Sequence, residues 1–214
     1  MNTPTTPIYV ETATGNIINL TDGVYGNLTV EDIVKGLAQI ARFNGRADEP
    51  ITVLQHSYAM YLYAKDHLNF VDEYCLHVLM HDAHEALLGD SVTPLKRLVP
   101  EIRKAEEMVQ ERILRRFKLD SNAARNVYNS IGDIDQMACH LEYAFYVTDI
   151  INSVGGLKQY KQNAEYYGFN PEDKSKLEYK TYASLITIVR GMSQKDLIDV
   201  VSLILYRHLA TCGD

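Results

Sequence analysis

Along most of the chain apolar positions recur every three or four residues, the period of a helix that buries one face. The first stretch differs. Ile8-Tyr-Val-Glu11 and Ile17-Ile-Asn-Leu20 are short β-branched runs around Thr-Ala-Thr-Gly-Asn, and such runs around a Gly-Asn turn predict a small hairpin. Residues 1–7 are rich in Thr and Pro and read as a loose tail; residues 21–28 read as a loop. From Thr29 the helical period takes over. Thr29 with Asp32 predicts a capping box, Ile33, Leu37 and Ile40 follow on one face, and Gly45 is the expected stop. Further helices are expected over about Thr52–His67, Val71–Leu88, Glu101–Phe117 and Ser121–Asn152, the last with Gly132 as a point of weakness. Pro94 and Pro100 bracket a segment expected to be irregular. Gly155-Gly156 reads as a break, and two or three more helices are expected over Leu157–Ala210, around Pro171 and Gly191. The pattern predicts an all-α helical bundle with a small N-terminal β-hairpin, as a single domain over residues 1–214.

Composition narrows the function classes. With 46% hydrophobic and 23% charged residues the chain is neither disordered nor fibrous. No window approaches the roughly 18 apolar residues of a membrane span; the run Val200–Leu205 is interrupted by Ser202. The first residues carry no basic and apolar leader pattern, so a cytoplasmic protein without membrane contact is expected. Cys75, Cys139 and Cys212 form neither a disulfide framework nor a CxxC pair. A net charge of −7 argues against duplex nucleic acid as a partner, but it leaves room for a small anion held by a few cations or a metal ion.

The chemistry is concentrated in Leu79–Lys96, which holds His81, His84, Asp82, Glu85, Asp90 and Lys96 within an otherwise apolar stretch. A His and an Asp embedded among apolar residues must be paired or metal-bound, because an unpaired buried charge is costly. Neighbouring helix positions differ by about 100°, so His81 and Asp82 can both reach one ion beside the helix. His56 and Asp135, from an earlier and a later helix, complete a mixed nitrogen and oxygen set suited to one divalent ion: Mn²⁺, Co²⁺, Fe²⁺, Ni²⁺, Zn²⁺ or Mg²⁺. Asp133 competes with Asp135, since about 200° separates them and only one can face the site. His77 and His81 have i,i+4 spacing but lack the HExxH context. His84 reads either as a structural or rim histidine or as a substrate contact. Glu142 reads as structural, paired with a basic residue. Pairs such as Glu111 and Arg115 mark Glu101–Arg116 as a solvated helix face, and most of the 15 tyrosines read as core or interface residues.

The order His56, His81-Asp82, Asp135 resembles the HD-domain metal-dependent phosphohydrolase superfamily. The stretch His81-Asp-Ala-His-Glu-Ala-Leu-Leu-Gly-Asp90 is similar to the version found in bacterial 5′-deoxynucleotidases and phage deoxynucleotide triphosphohydrolases. Thr93-Pro94-Leu95-Lys96, Ile40-Ala-Arg42-Phe-Asn-Gly45 and Gln55-His56-Ser57 resemble flanking segments there, over about residues 8–145. The resemblance implies His56, His81, Asp82 and Asp135 as metal ligands, Glu85 acting on the attacking water with Asp90 in support, Arg42 and Lys96 on phosphate oxygens, and Phe43, Asn44 and Pro94 near sugar or base. Where some deoxynucleotidases carry Trp this chain has Phe43, so base preference does not carry over. The implied reaction is hydrolysis of a 5′ phosphoester of a deoxynucleotide, favoured as dATP to deoxyadenosine and triphosphate. Alternatives are a 5′-deoxynucleotidase on monophosphates and a non-catalytic nucleotide sensor. The C-terminal helices are expected to complete the bundle or to join copies into a homo-oligomer.

Overall fold

A two-stranded hairpin is marginal on its own in water, and here one carboxylate ties it to the first helix. β1 (Tyr9–Glu11) and β2 (Ile17–Asn19) run antiparallel, with Val10 opposite Ile18. The computed structural model describes residues 6–47, 50–119, 121–146 and 177–213. In the hairpin turn, Thr12 Oγ1 donates to Asp32 Oδ1 at 2.6 Å, the Thr14 hydroxyl donates to the same oxygen, and Asn16 Nδ2 donates to Oδ2 at 2.9 Å. Asp32 also closes the expected capping box of α1 (Val30–Gln39), accepting from Thr29 N at 2.8 Å while Thr29 Oγ1 accepts from Asp32 N at 3.2 Å.

Burial raises the pKa of Asp32, but the bonds from Thr12, Thr14, Asn16 and Thr29 outweigh it and pull the carboxyl down to about 2. A depressed folded-state pKa contributes stability that is present above the unfolded value of 3.8 and is lost as the pH falls towards 2. Asp32→Ala should therefore cost about 2–4 kcal/mol at pH 7, from the lost cap and charged hydrogen bonds. In urea unfolding at descending pH, the gap between the variant and the wild type should narrow below about pH 4.

α1 stops earlier than Gly45. Ile40 is already extended, and residues 40–42 bond across to 51–53, with Arg42 N to Ile51 O at 2.8 Å and Val53 N to Ile40 O at 2.9 Å. A 3₁₀ turn (Arg42–Gly45) follows, with Phe43, Asn44 and Gly45 at φ of 59°, 54° and 67°. Left-handed backbone is costly for a Phe, and here it lies next to the buried Arg42. α2 (Val53–Asp66) opens on a second capping box, Thr52 with Gln55.

The single helix expected over Val71–Leu88 is two. α3 (Asp72–Leu79) ends at Met80, residues 80–84 form turns, and α4 (Glu85–Leu88) resumes. Side chains take carbonyls at this bend: His81 Nδ1 lies 2.8 Å from Val78 O, and Gln110 Nε2 donates to Met80 O at 2.6 Å. The segment between the prolines is also helical, α5 (Thr93–Leu98), followed by α6 (Pro100–Arg116). Both prolines stand in a first turn, where no N–H is needed. α7 (Ser121–Tyr146) runs through Gly132 without a break. α8 (Leu177–Gly191) and α9 (Gln194–Thr211) follow, α9 capped by Ser193. The expected end of α7 beyond Tyr146, the break at Gly155-Gly156 and the helical expectations over 157–176, including Pro171, lie outside the described residues.

α2 is the central helix, packed by α1, α3, α7 and α8. Its Val53, Leu54, Ala59, Met60 and Ala64 are almost fully buried. α1 crosses α4 at Gly36, where a Cβ would lie 2.9 Å from that of Ala86; that close approach sets the position of the neighbouring Glu85. No helix among the described residues is long and apolar enough to cross a membrane.

Candidate metal centre

Three parts of the fold converge here. α2 supplies His56 from its first turns, the bend between α3 and α4 supplies His81 and Asp82, and α7 supplies Asp135. Ligand atoms of these four residues all lie within 4.8 Å of one another, so they could hold a metal ion. His56 Nε2 is 3.4 Å from His81 Nε2 and 3.2 Å from Asp135 Oδ1, and His81 Nε2 is 3.0 Å from Asp82 Oδ2. His56 Nε2 to Asp82 Oδ2 and His81 Nε2 to Asp135 Oδ1 are each 3.9 Å, so the donors stand close to the roughly 3.0–3.4 Å that neighbours about 2.1 Å from a shared ion would have, with two pairs wider.

The outer nitrogens decide the tautomers. His81 Nδ1 donates to the Val78 carbonyl, and His56 Nδ1, at 2.8 Å, donates to Glu142 Oε1. Each ring therefore has Nε2 as its remaining ligand atom, the arrangement in which supporting groups orient metal-binding imidazoles. Burial and Arg42 lower the pKa of His56, but Glu142 and Asp135 outweigh them and hold it up at about 9, so a cation would have to displace a proton from Nε2. Burial disfavours the charge on Asp82 too, yet His81, His56 and Arg42 hold its carboxyl well below the usual range.

Glu142 is fully buried and serves two cations at once. Beside His56 it meets Arg42, whose Nε lies 2.9 Å from Oε2 at an angle too bent for a hydrogen bond. The Tyr182 hydroxyl on α8 donates to Oε1 at 2.7 Å. Glu142→Gln keeps the shape but loses this charge, and the affinity for a divalent ion should fall by about 10–100-fold, measured by equilibrium dialysis with Mn²⁺. Tyr182 is one of 15 tyrosines, and nothing in its spacing marks it for this place.

Arg42, expected on phosphate, is drawn into the carboxylates instead. It is 8% exposed, with its terminal nitrogens 3.6 Å from Asp82 and 3.8 Å from Asp135. Phe43 stacks edge-on to Tyr143, with ring centroids 5.9 Å apart. Asn44 and Pro94 are exposed, and Lys96, also expected on phosphate, is ion-paired with Glu106 at 3.0 Å. Glu85 is buried, and Asp90 is half-buried just beyond α4. Burial, then the charges of Asp82 and Asp90, push Glu85 up to about 10. On α7 Asp135 joins the cluster, while Asp133 lines a separate 310 Å³ cavity with Tyr63, Phe70 and Met137.

No family model matches the chain. It is similar to an uncharacterized protein of Rhodobacter capsulatus, 35% identical over 88 residues, covering 40% of this chain and 45% of the relative. It is also similar to the uncharacterized protein YfdR of Escherichia coli, 31% identical over 93 residues, 44% of this chain and 49% of that one. The chain thus spans about half the length of the curated relatives it matches.

Proposed function

We propose that this chain is an HD-type, metal-dependent phosphohydrolase that cleaves the 5′ phosphoester of a deoxynucleotide, with dATP to deoxyadenosine and triphosphate as the favoured reaction. The observation that carries the reading is the convergence of two imidazoles, one buried and one half-buried, each with Nδ1 committed to an acceptor, on the carboxylates of Asp82 and Asp135. A divalent ion there would supply Lewis-acid polarisation of a phosphoryl oxygen. The chain's own groups would do the rest. Glu85 would carry a proton at the edge of the cluster, with Asp90 beside it. Arg42 balances the charge of the carboxylates around it. In the net reaction a water oxygen bonds to the α-phosphorus, the bond from phosphorus to the 5′ oxygen breaks, and a proton ends on that oxygen.

The choice of dATP over a monophosphate rests on the resemblance of His81–Asp90 and its flanks to compact phage enzymes. A panel of dNMPs, dNDPs and dNTPs with Mn²⁺, Co²⁺ or Mg²⁺, with phosphate, pyrophosphate and triphosphate resolved, tests it. Triphosphate and deoxyadenosine from dATP are expected. Phosphate from dNMPs alone would make the protein a 5′-deoxynucleotidase, and no turnover with any substrate and metal would overturn the catalytic reading.

A further inference from the structure

A second group of ligand atoms adjoins the first through Asp82. His84, Glu85 and Glu106 are 7%, 3% and 6% exposed. Each holds a buried atom with no hydrogen-bond partner: His84 Nε2, Glu85 Oε2 and Glu106 Oε1. Ligand atoms of Asp82, His84 and Glu85 lie within 4.8 Å of one another, and His84 Nε2 is 3.9 Å from Glu106 Oε1.

The hydrogen bonding fixes what these atoms can do. Gln110 Nε2 donates to the Met80 carbonyl at 2.6 Å, which fixes the orientation of its amide. Gln110 Oε1 is then an acceptor, and it takes both His84 N at 3.0 Å and His84 Nδ1 at 3.2 Å. Nδ1 therefore carries the proton and Nε2 presents a bare lone pair. Lys96 occupies only the other oxygen of Glu106, Oε2, at 3.0 Å. The unpartnered atoms from the bend, α4 and α6 are an imidazole lone pair and two carboxyl oxygens, and a carboxyl that binds a cation gives up its proton. Unpartnered buried acceptors are unfavourable, and an imidazole nitrogen among carboxylates suits a first-row divalent cation.

We propose that Asp82, His84 and Glu85, with Glu106 supporting His84 from α6, form a second divalent-cation site beside the His56, His81, Asp82 and Asp135 cluster. One ion is all that the sequence led us to expect; His84 and Glu106 are what extend the site. Two adjoining cations can clamp the attacking and leaving oxygens of a displacement, a role that rests on the phosphohydrolase reading, whereas the site itself does not.

The test is a titration of the full chain with Mn²⁺ alone, with free Mn²⁺ read by electron paramagnetic resonance and the fold checked by circular dichroism. Wild type should bind two equivalents. Glu106→Gln, which keeps shape and hydrogen bonding, and His84→Leu should each retain the tighter equivalent and weaken the other by about 10-fold or more. A single equivalent in wild type up to millimolar Mn²⁺, with the acceptors served by water only, overturns the proposal. So do two equivalents unchanged in Glu106→Gln, which stands as the deciding variant if His84→Leu does not fold. A single equivalent that disappears in His81→Ala would overturn the second site while leaving the proposed function standing. No bound ion at all would remove both.

Discussion

His81→Ala and Asp82→Ala should each abolish stoichiometric binding of a divalent ion and, with it, hydrolysis. The loss should exceed the roughly 10–100-fold that removal of a supporting contact costs, because each variant removes a ligand atom itself. The two should differ in stability. His81→Ala gives up the bond to the Val78 carbonyl and the contact with Asp82 but leaves the carboxylates balanced by Arg42. Asp82→Ala removes one of three carboxylates around the buried Arg42 guanidinium, and breaking into a buried charge network is the costlier change. Metal analysis after dialysis, with thermal unfolding alongside, reads both effects. Stoichiometric metal retained in both variants would show that the four residues are an ion-pair network and not a metal centre.

How far the site could be read from sequence depended on how local its parts are. The capping boxes of Thr29 with Asp32 and Thr52 with Gln55 follow from residues three apart; the first was legible on that ground. The His56, His81, Asp82 and Asp135 set was legible because charged groups interrupt apolar helical patterns and demand a partner. Other features depend on long-range contacts. The bend at residues 80–84 interrupts an apolar period that continues on both sides, and it is held by Gln110, 30 residues from Met80. The partnership of Glu142 with His56 spans 86 residues, and that with Tyr182 spans 40. The need of Glu142 for a cation was readable, but which cation was not. Arg42 shows the same limit. Its motif suggested a phosphate, while the folded chain places three carboxylates around it. Helix α5 was missed for a local reason: prolines were read as breaks, although Pro is compatible with a first helical turn.

Glu85→Gln separates the chemical step from metal binding. The side chain is buried at the start of α4, beside Asp82 and Asp90 and behind the close crossing of Gly36 with Ala86. Gln fills the same space and keeps an oxygen, so the fold and the ion at His56, His81, Asp82 and Asp135 should be retained. What Gln cannot do is gain or lose a proton. Turnover should fall by roughly 10²–10⁴, the usual share of general acid–base catalysis, whether the carboxyl takes a proton from the attacking water or gives one to the leaving oxygen. Nucleotide binding, measured under non-turnover conditions, should stay near wild type. Loss of the tighter Mn²⁺ equivalent in Glu85→Gln would make Glu85 a ligand of the first ion and shift the assignment of the whole His81–Asp90 stretch. Full turnover with metal intact would leave Glu85 as a packing residue and require the proton to move by another group. The combination expected, tight metal kept and turnover lost, sets Glu85 apart from a ligand of the first ion and from a packing residue; the weaker Mn²⁺ equivalent, read in the same titration, separates a lost proton carrier, which leaves it in place, from a lost ligand of the second ion, which weakens it.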